Sequence, residues 1–124
     1  MPTLDQLRAQ YAWEKALNSR ALKKFDEYCN LAKGAPALVM GNGLMSALAL
    51  WRSRGKEHAT QLLDDVLIWL APRTKMESPQ FDDTMARLTQ MGSLEYMAAT
   101  DETLALLRWL RQCADAVAEE DVAR

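Results

Sequence analysis

The sequence predicts an all-α domain: residues 1–124 as a single compact bundle of about five helices, with a long first helix and an apolar central one. Three observations lead there. Apolar residues recur at three- and four-residue steps along most of the chain, and no window alternates as a half-buried strand would. Residues 35–51, APALVMGNGLMSALALW, carry no charge in a protein that is 26% charged. This run belongs in a core, because a membrane-spanning helix needs roughly 20 uninterrupted apolar residues, whereas Pro36 and Gly41-Asn42-Gly43 interrupt a shorter stretch.

Leu4, Leu7, Tyr11, Leu17, Ala21, Phe25, Tyr28 and Ala32 trace one face of a helix, with Thr3 and Gln6 as a capping box at its start. The continuous period predicts about eight turns, ended by Gly34 and Pro36. The central helix then runs to Arg54 and stops at Gly55; having no polar face, it belongs in the middle of the bundle. Gly41-Asn42-Gly43 within it reads as a kink or a point of close packing. Ala59, Leu62, Leu63, Val66, Leu67 and Leu70 stripe a third helix that Pro72 terminates. Ser78 and Pro79 read as N-cap and first position of a short fourth helix, whose face is Phe81, Met85 and Leu88. Gly92-Ser93 precedes a last helix over residues 94–119 that buries Ala99, Leu106, Leu110, Cys113 and Val117, flanked by Trp109.

The net charge of −2 conceals a division. Residues 1–56 hold nine Lys and Arg against four Asp and Glu, whereas residues 57–124 hold six against thirteen. A basic half is the footprint of a polyanion partner, and an acidic half suits basic neighbours or copies of the same chain; both also occur as ordinary solvated surface. The opening MPTLDQLRAQ has neither a basic n-region nor an apolar h-region, so the chain is expected in the cytoplasm, with no membrane partner. Cys29 and Cys113 then read as small buried hydrophobes.

The motifs of chemistry are missing. There is no Glu-x-x-His pair, no Gly-x-x-x-x-Gly-Lys and no nucleophile elbow. The pairs Asp64-Asp65, Asp82-Asp83 and Asp101-Glu102 read as residues of helix starts or outer faces, where carboxylates favour the helix dipole. His58, the single histidine, reads as a first-turn surface residue. Neither catalysis, metal nor cofactor is expected.

One constellation does stand out. On a helical wheel Trp13, Arg20, Lys23 and Lys24 fall within an arc of about 100 degrees, outside the apolar stripe. Such a ridge can neutralise phosphates and stack a base on the indole, although Trp13 serves equally well as a packing anchor for a neighbouring helix or subunit. Lys15, with Arg8 and Lys33, lies on the opposite flank, and Arg52, Arg54 and Lys56 cluster at the end of the central helix. The candidate nucleic-acid-binding residues are thus Trp13, Lys15, Arg20, Lys23, Lys24, Arg52, Arg54 and Lys56.

Three segments carry a family resemblance. Leu38-Val39-Met40-Gly41-Asn42-Gly43-Leu44, followed by Ala47-Leu48-Ala49 and Ser53-Arg54-Gly55-Lys56, resembles the central motif of the small subunit of the type III-B CRISPR effector, the Cmr complex. Tyr96, Thr100, Glu102, Leu104, Trp109, Arg111 and Ala114-Asp115-Ala116 resemble its last helix, and Tyr11-Ala12-Trp13-Glu14-Lys15 its first. Met40 and Gly41 stand where that family often has a basic residue, which leaves RNA to other cations. The resemblance implies a non-catalytic subunit that stacks in several copies along an RNA-guided ribonucleoprotein. Its implied partners are CRISPR RNA, target RNA and the larger Cmr subunits. A small subunit of another multisubunit CRISPR effector, and a helical adaptor that binds only protein, are the alternatives.

Overall fold

In a computed structural model, which describes residues 1–123, the chain folds into six helices with no strand among the described residues. They are α1 (Leu4–Ser19), α2 (Phe25–Asn42), α3 (Leu44–Arg54), α4 (Glu57–Arg73), α5 (Phe81–Gln90) and α6 (Ser93–Ala123). The first and last helices pack along each other, α2 lies against α6, α3 and α4, and short α5 rests on α4. The capping box at Thr3 forms in both directions: the Gln6 N–H donates to Thr3 Oγ1 (3.1 Å) and the Thr3 N–H to Gln6 Oε1 (2.7 Å).

The sixth helix arises because the long first helix breaks after Ser19. The apolar period runs on through residues 20–24, but the N–H groups of Arg20, Ala21 and Leu22 donate to the carbonyls of Leu17, Asn18 and Ser19, an i to i−3 pattern that tightens and ends the turn. Ser19 Oγ donates to the Ala16 carbonyl (2.6 Å), competing with the helical ladder there. Neither Gly nor Pro marks the break. Its cause is tertiary: α1 must lie along α6 while α2 reaches α3 and α4.

Conversely, Gly34 and Pro36 do not end a helix. Both lie inside α2, where Pro36 is buried with Ala32, Ala35 and Val39; packing on that face outweighs the one rung that proline cannot donate. The apolar central segment is instead divided at Gly43, whose φ of 91° and ψ of 159° belong to a region essentially reserved for glycine. Gly55, at φ 62°, ends α3 in the left-handed conformation that the sequence anticipates. Pro72 falls in the last turn of α4 rather than beyond it, and α5 begins at Phe81 with Gln80 as N-cap. Ser78 Oγ accepts the Gln80 N–H (3.1 Å) and so shapes the turn before the helix instead of capping it.

The core holds Trp51, Tyr28, Leu44, Leu48, Leu62, Leu63, Leu67, Leu70, Leu106, Leu107 and Leu110, all essentially without exposure. Those side chains come from α2, α3, α4 and α6, so the uncharged segment is central as expected. Asp65 does not fit the outer-face reading: it is 0% exposed. Tyr28 donates to its Oδ2 (3.0 Å), Gln61 Nε2 to its Oδ1 (2.8 Å), and the Tyr11 hydroxyl to its backbone carbonyl. Burial lifts its pKa to about 6 despite those donors.

Candidate nucleic-acid interface

The eight candidate residues do not form one ridge. Trp13 is on α1 and 37% exposed. Lys15 extends over the Tyr11 ring, 5.2 Å from its centroid, and lies half-buried. Arg20 is the C-cap of α1, Lys23 lies in the turn that follows, and Lys24 is the N-cap of α2. The wheel projection that grouped Trp13 with Arg20, Lys23 and Lys24 therefore ends with the helix at Ser19. Arg52 also leaves its sequence neighbours: its guanidinium stacks on Phe81 of α5 at 5.5 Å, in a hollow that also contains Asp64 and Asp82.

What the break in α1 removes from the wheel it returns in another form. The turn carries Lys23 and Lys24 to the junction of α3 and α4, where Gly55 aims Lys56 back toward them, and these three lysines with Glu57 and His58 line one hollow of about 160 Å³. Two helices start there, α2 at Lys24 and α4 at Lys56, and neither N-cap side chain accepts a first-turn N–H. Positive helix ends and lysines thus act on the same space. A second hollow of about 430 Å³ shares His58 and includes Arg54, Glu27, Asn30 and an apolar wall of Leu31, Ala35 and Leu38. The structure unites Lys23, Lys24 and Lys56, and sets Arg54 beside them.

His58 is in the first turn of α4 as expected, yet its side chain is only 13% exposed. Its Nδ1 lies 3.3 Å from Glu27 Oε2, while Glu27 Oε1 is 3.8 Å from Lys24 Nζ. Glu57 Oε1 accepts the main-chain N–H of Lys23 (3.2 Å). These two carboxylates had no distinguishing sequence signal, since Glu27 reads as an ordinary acidic residue inside the long first helix and Glu57 as one in a first helical turn.

The segments that carried the resemblance meet at the opposite end of α3. The Tyr96 hydroxyl accepts the Met45 N–H (3.1 Å), beside Gly43. Farther along α6, Glu102 accepts Arg8 Nε and Nη2, each at 2.7 Å, and Trp69 Nε1 at 2.9 Å. Asp5 Oδ1 accepts Trp109 Nε1 (2.9 Å). Burial would raise the Glu102 pKa, but the donors Arg8 and Trp69 and the charges of Arg8 and Arg73 outweigh it and hold the carboxyl below its usual range. Glu102 is thus a link between α1, α4 and α6, not an outer-face residue. Among the described residues no three His, Cys, Asp or Glu side chains are grouped as a metal ion needs, and no helix is long and apolar enough to cross a membrane.

Residues 4–117 match the family described as CRISPR-associated protein (Cas_Cmr5). The chain belongs to the Cmr5 family. The CRISPR system Cmr subunit Cmr5 of Thermus thermophilus is 35% identical over 120 residues, which is 97% of this chain and 100% of that protein. The X-ray crystal structure of a CRISPR-associated Cmr5 family protein from the same organism superimposes with a TM-score of 0.81 at 31% identity, covering 94% of this chain and 97% of the other. The Cmr5 fold is therefore all-helical here too, and the family resemblance read in the first, central and last segments holds across the chain.

Proposed function

We propose that this chain is a non-catalytic small subunit of the multisubunit Cmr (type III-B) CRISPR complex that holds target RNA or the guide-target duplex by its phosphates. The observation that carries the reading is the convergence of Lys23, Lys24 and Lys56 on one hollow at two uncapped helix starts, in a chain of the Cmr5 family. The site offers charge and backbone N–H groups but few groups that could read a base edge. Sequence selection then falls to the guide strand. Arg54 extends the positive surface, whereas Arg52, stacked on Phe81, contributes its field more than its donors. Copies of the chain stack along the complex, the acidic second half of one facing the basic first half of the next.

The test is RNA binding by the purified chain and by the assembled complex, measured by fluorescence anisotropy over a salt series. Changing Lys23, Lys24 and Lys56 together to Glu should weaken binding and flatten the salt dependence by about 0.7 log unit for each phosphate no longer neutralised. The circular dichroism spectrum should be unchanged, because all three side chains are exposed. Unchanged affinity and slope would leave the adaptor that binds only protein as the better reading. Exposed Leu94 and Met97 on α6 supply an apolar surface for such contacts.

A further inference from the structure

Glu57 lines the hollow, and Glu27, which lines the adjoining one, reaches it at Lys24. Glu57 Oε1 takes the Lys23 N–H at 3.2 Å, and Glu27 lies between Lys24 Nζ at 3.8 Å and His58 Nδ1 at 3.3 Å. A phosphate entering the space among Lys23, Lys24 and Lys56 meets the same donors. The Lys24 ammonium and the Lys23 main-chain donor are thus already answered by carboxylates of the chain itself. Neither carboxylate is locked in place: Glu57 is exposed and the Glu27 side chain is 43% exposed, so both can swing into water.

Resting on the phosphate-holding role given above, we propose that Glu27 and Glu57 are built-in competitors that attenuate the basic hollow, and that RNA must displace them to bind. The consequence is a subunit with poor grip on stray RNA. Surface ion pairs of this kind are individually weak and easily exchanged, so a strand already held in register by neighbouring subunits supplies phosphates at high local concentration and overcomes them. A free strand does not. In this way discrimination between assembled and unassembled RNA lies in two acidic side chains rather than in the lysines.

The experiment compares the purified wild-type chain with Glu27→Gln/Glu57→Gln, using a fluorescent uridine RNA of about 20 nucleotides, long enough to span a single-strand site, across a salt series. The double variant should bind about ten-fold tighter at low salt, with a steeper slope as released cations engage further phosphates, by about 0.7 log unit for each. A control, Glu14→Gln/Asp101→Asn, makes the same change of net charge at exposed positions that line neither this hollow nor the adjoining one. It should alter affinity by less than about two-fold, as expected for screened charges. Equal effects of the two pairs, or an unchanged slope in Glu27→Gln/Glu57→Gln, would overturn the competitor role. If the lysine variant Lys23→Glu/Lys24→Glu/Lys56→Glu loses RNA while the glutamine pair gains nothing, only the competition is wrong. If neither set of changes moves RNA binding, the phosphate-holding role fails and the competition with it.

Discussion

The hydroxyl of Tyr96 caps α3 from another helix, accepting the main-chain N–H of Met45 at 3.1 Å. Gly43 cannot supply that cap because it has no side chain, and its backbone conformation admits almost nothing but glycine. The glycine that divides the apolar segment and the tyrosine that seals the division are therefore one structural unit, although 53 positions separate them.

Tyr96→Phe should lower stability by about 1 kcal/mol, since the ring remains but a partly buried N–H loses its partner. Gly43→Ala should cost about 1–3 kcal/mol through backbone strain alone, because the nearest atom to an added Cβ is the Tyr96 hydroxyl at a comfortable 3.9 Å. Urea unfolding of both variants measures this. A Gly43→Ala protein as stable as wild type would show that the junction relaxes.

Arg8 and Glu102 are coupled, and a double-mutant cycle should show it. Arg8→Met leaves a half-buried carboxylate with only the Trp69 donor and the Arg73 charge, and should cost about 2 kcal/mol. Arg8→Met/Glu102→Leu should recover part of the loss, with a coupling of about 1–2 kcal/mol in chemical denaturation. Strict additivity would mean that the pair merely coexists.

Asp65 and Glu102 should give the stability opposite pH dependences. Folding raises the Asp65 pKa from 3.8 to about 6, so the folded state binds this proton more tightly. Its contribution is fully present below pH 3.8 and is lost as the pH climbs through about 6, by on the order of 3 kcal/mol. Glu102, held below its usual 4.5, contributes stability above that value and loses it as the pH falls further. In Asp65→Asn the decline between about pH 4 and 6.5 should flatten, and in Glu102→Gln the acid limb should. Unfolding free energies at half-unit pH steps decide both.

Trp13→Ala separates stacking from packing. Weaker RNA binding with intact assembly identifies base stacking; poorer assembly of the complex with unchanged RNA affinity of the isolated chain identifies a contact with a neighbouring subunit. Native gels of the reconstituted complex, run beside anisotropy on the free chain, read the two effects separately.

The helical class, the capping box, the αL stop at Gly55 and the buried face of the last helix were legible because each is a local pattern with a local cause. The break after Ser19 was not. Residues 20–24 keep both period and helix propensity, and only the need of α1 to lie along α6 interrupts them. Pro36 misled in the other direction, since burial on one face of α2 carries the helix through it. The candidate site was half legible. Its lysines and arginines could be named from charge, but their grouping depends on the unforeseen break, which moves Lys23 and Lys24 away from Trp13 and toward Lys56. Glu27, Glu57 and the burial of Asp65 had no sequence signature, because an acidic residue in a helix looks the same whether it faces water, a lysine or a tyrosine.

The packing of α1 along α6 makes synthesis of this chain a vectorial problem. While the ribosome is still adding residues before 93, α1 and α2 have emerged without the helix that covers both. The buried sides of Ala12 and Ala16 must then wait in the nascent chain, and the fold closes only when Leu106, Leu110 and Val117 have cleared the exit tunnel. A premature stop codon anywhere before α6 should therefore yield a sticky, protease-sensitive fragment rather than a smaller working domain.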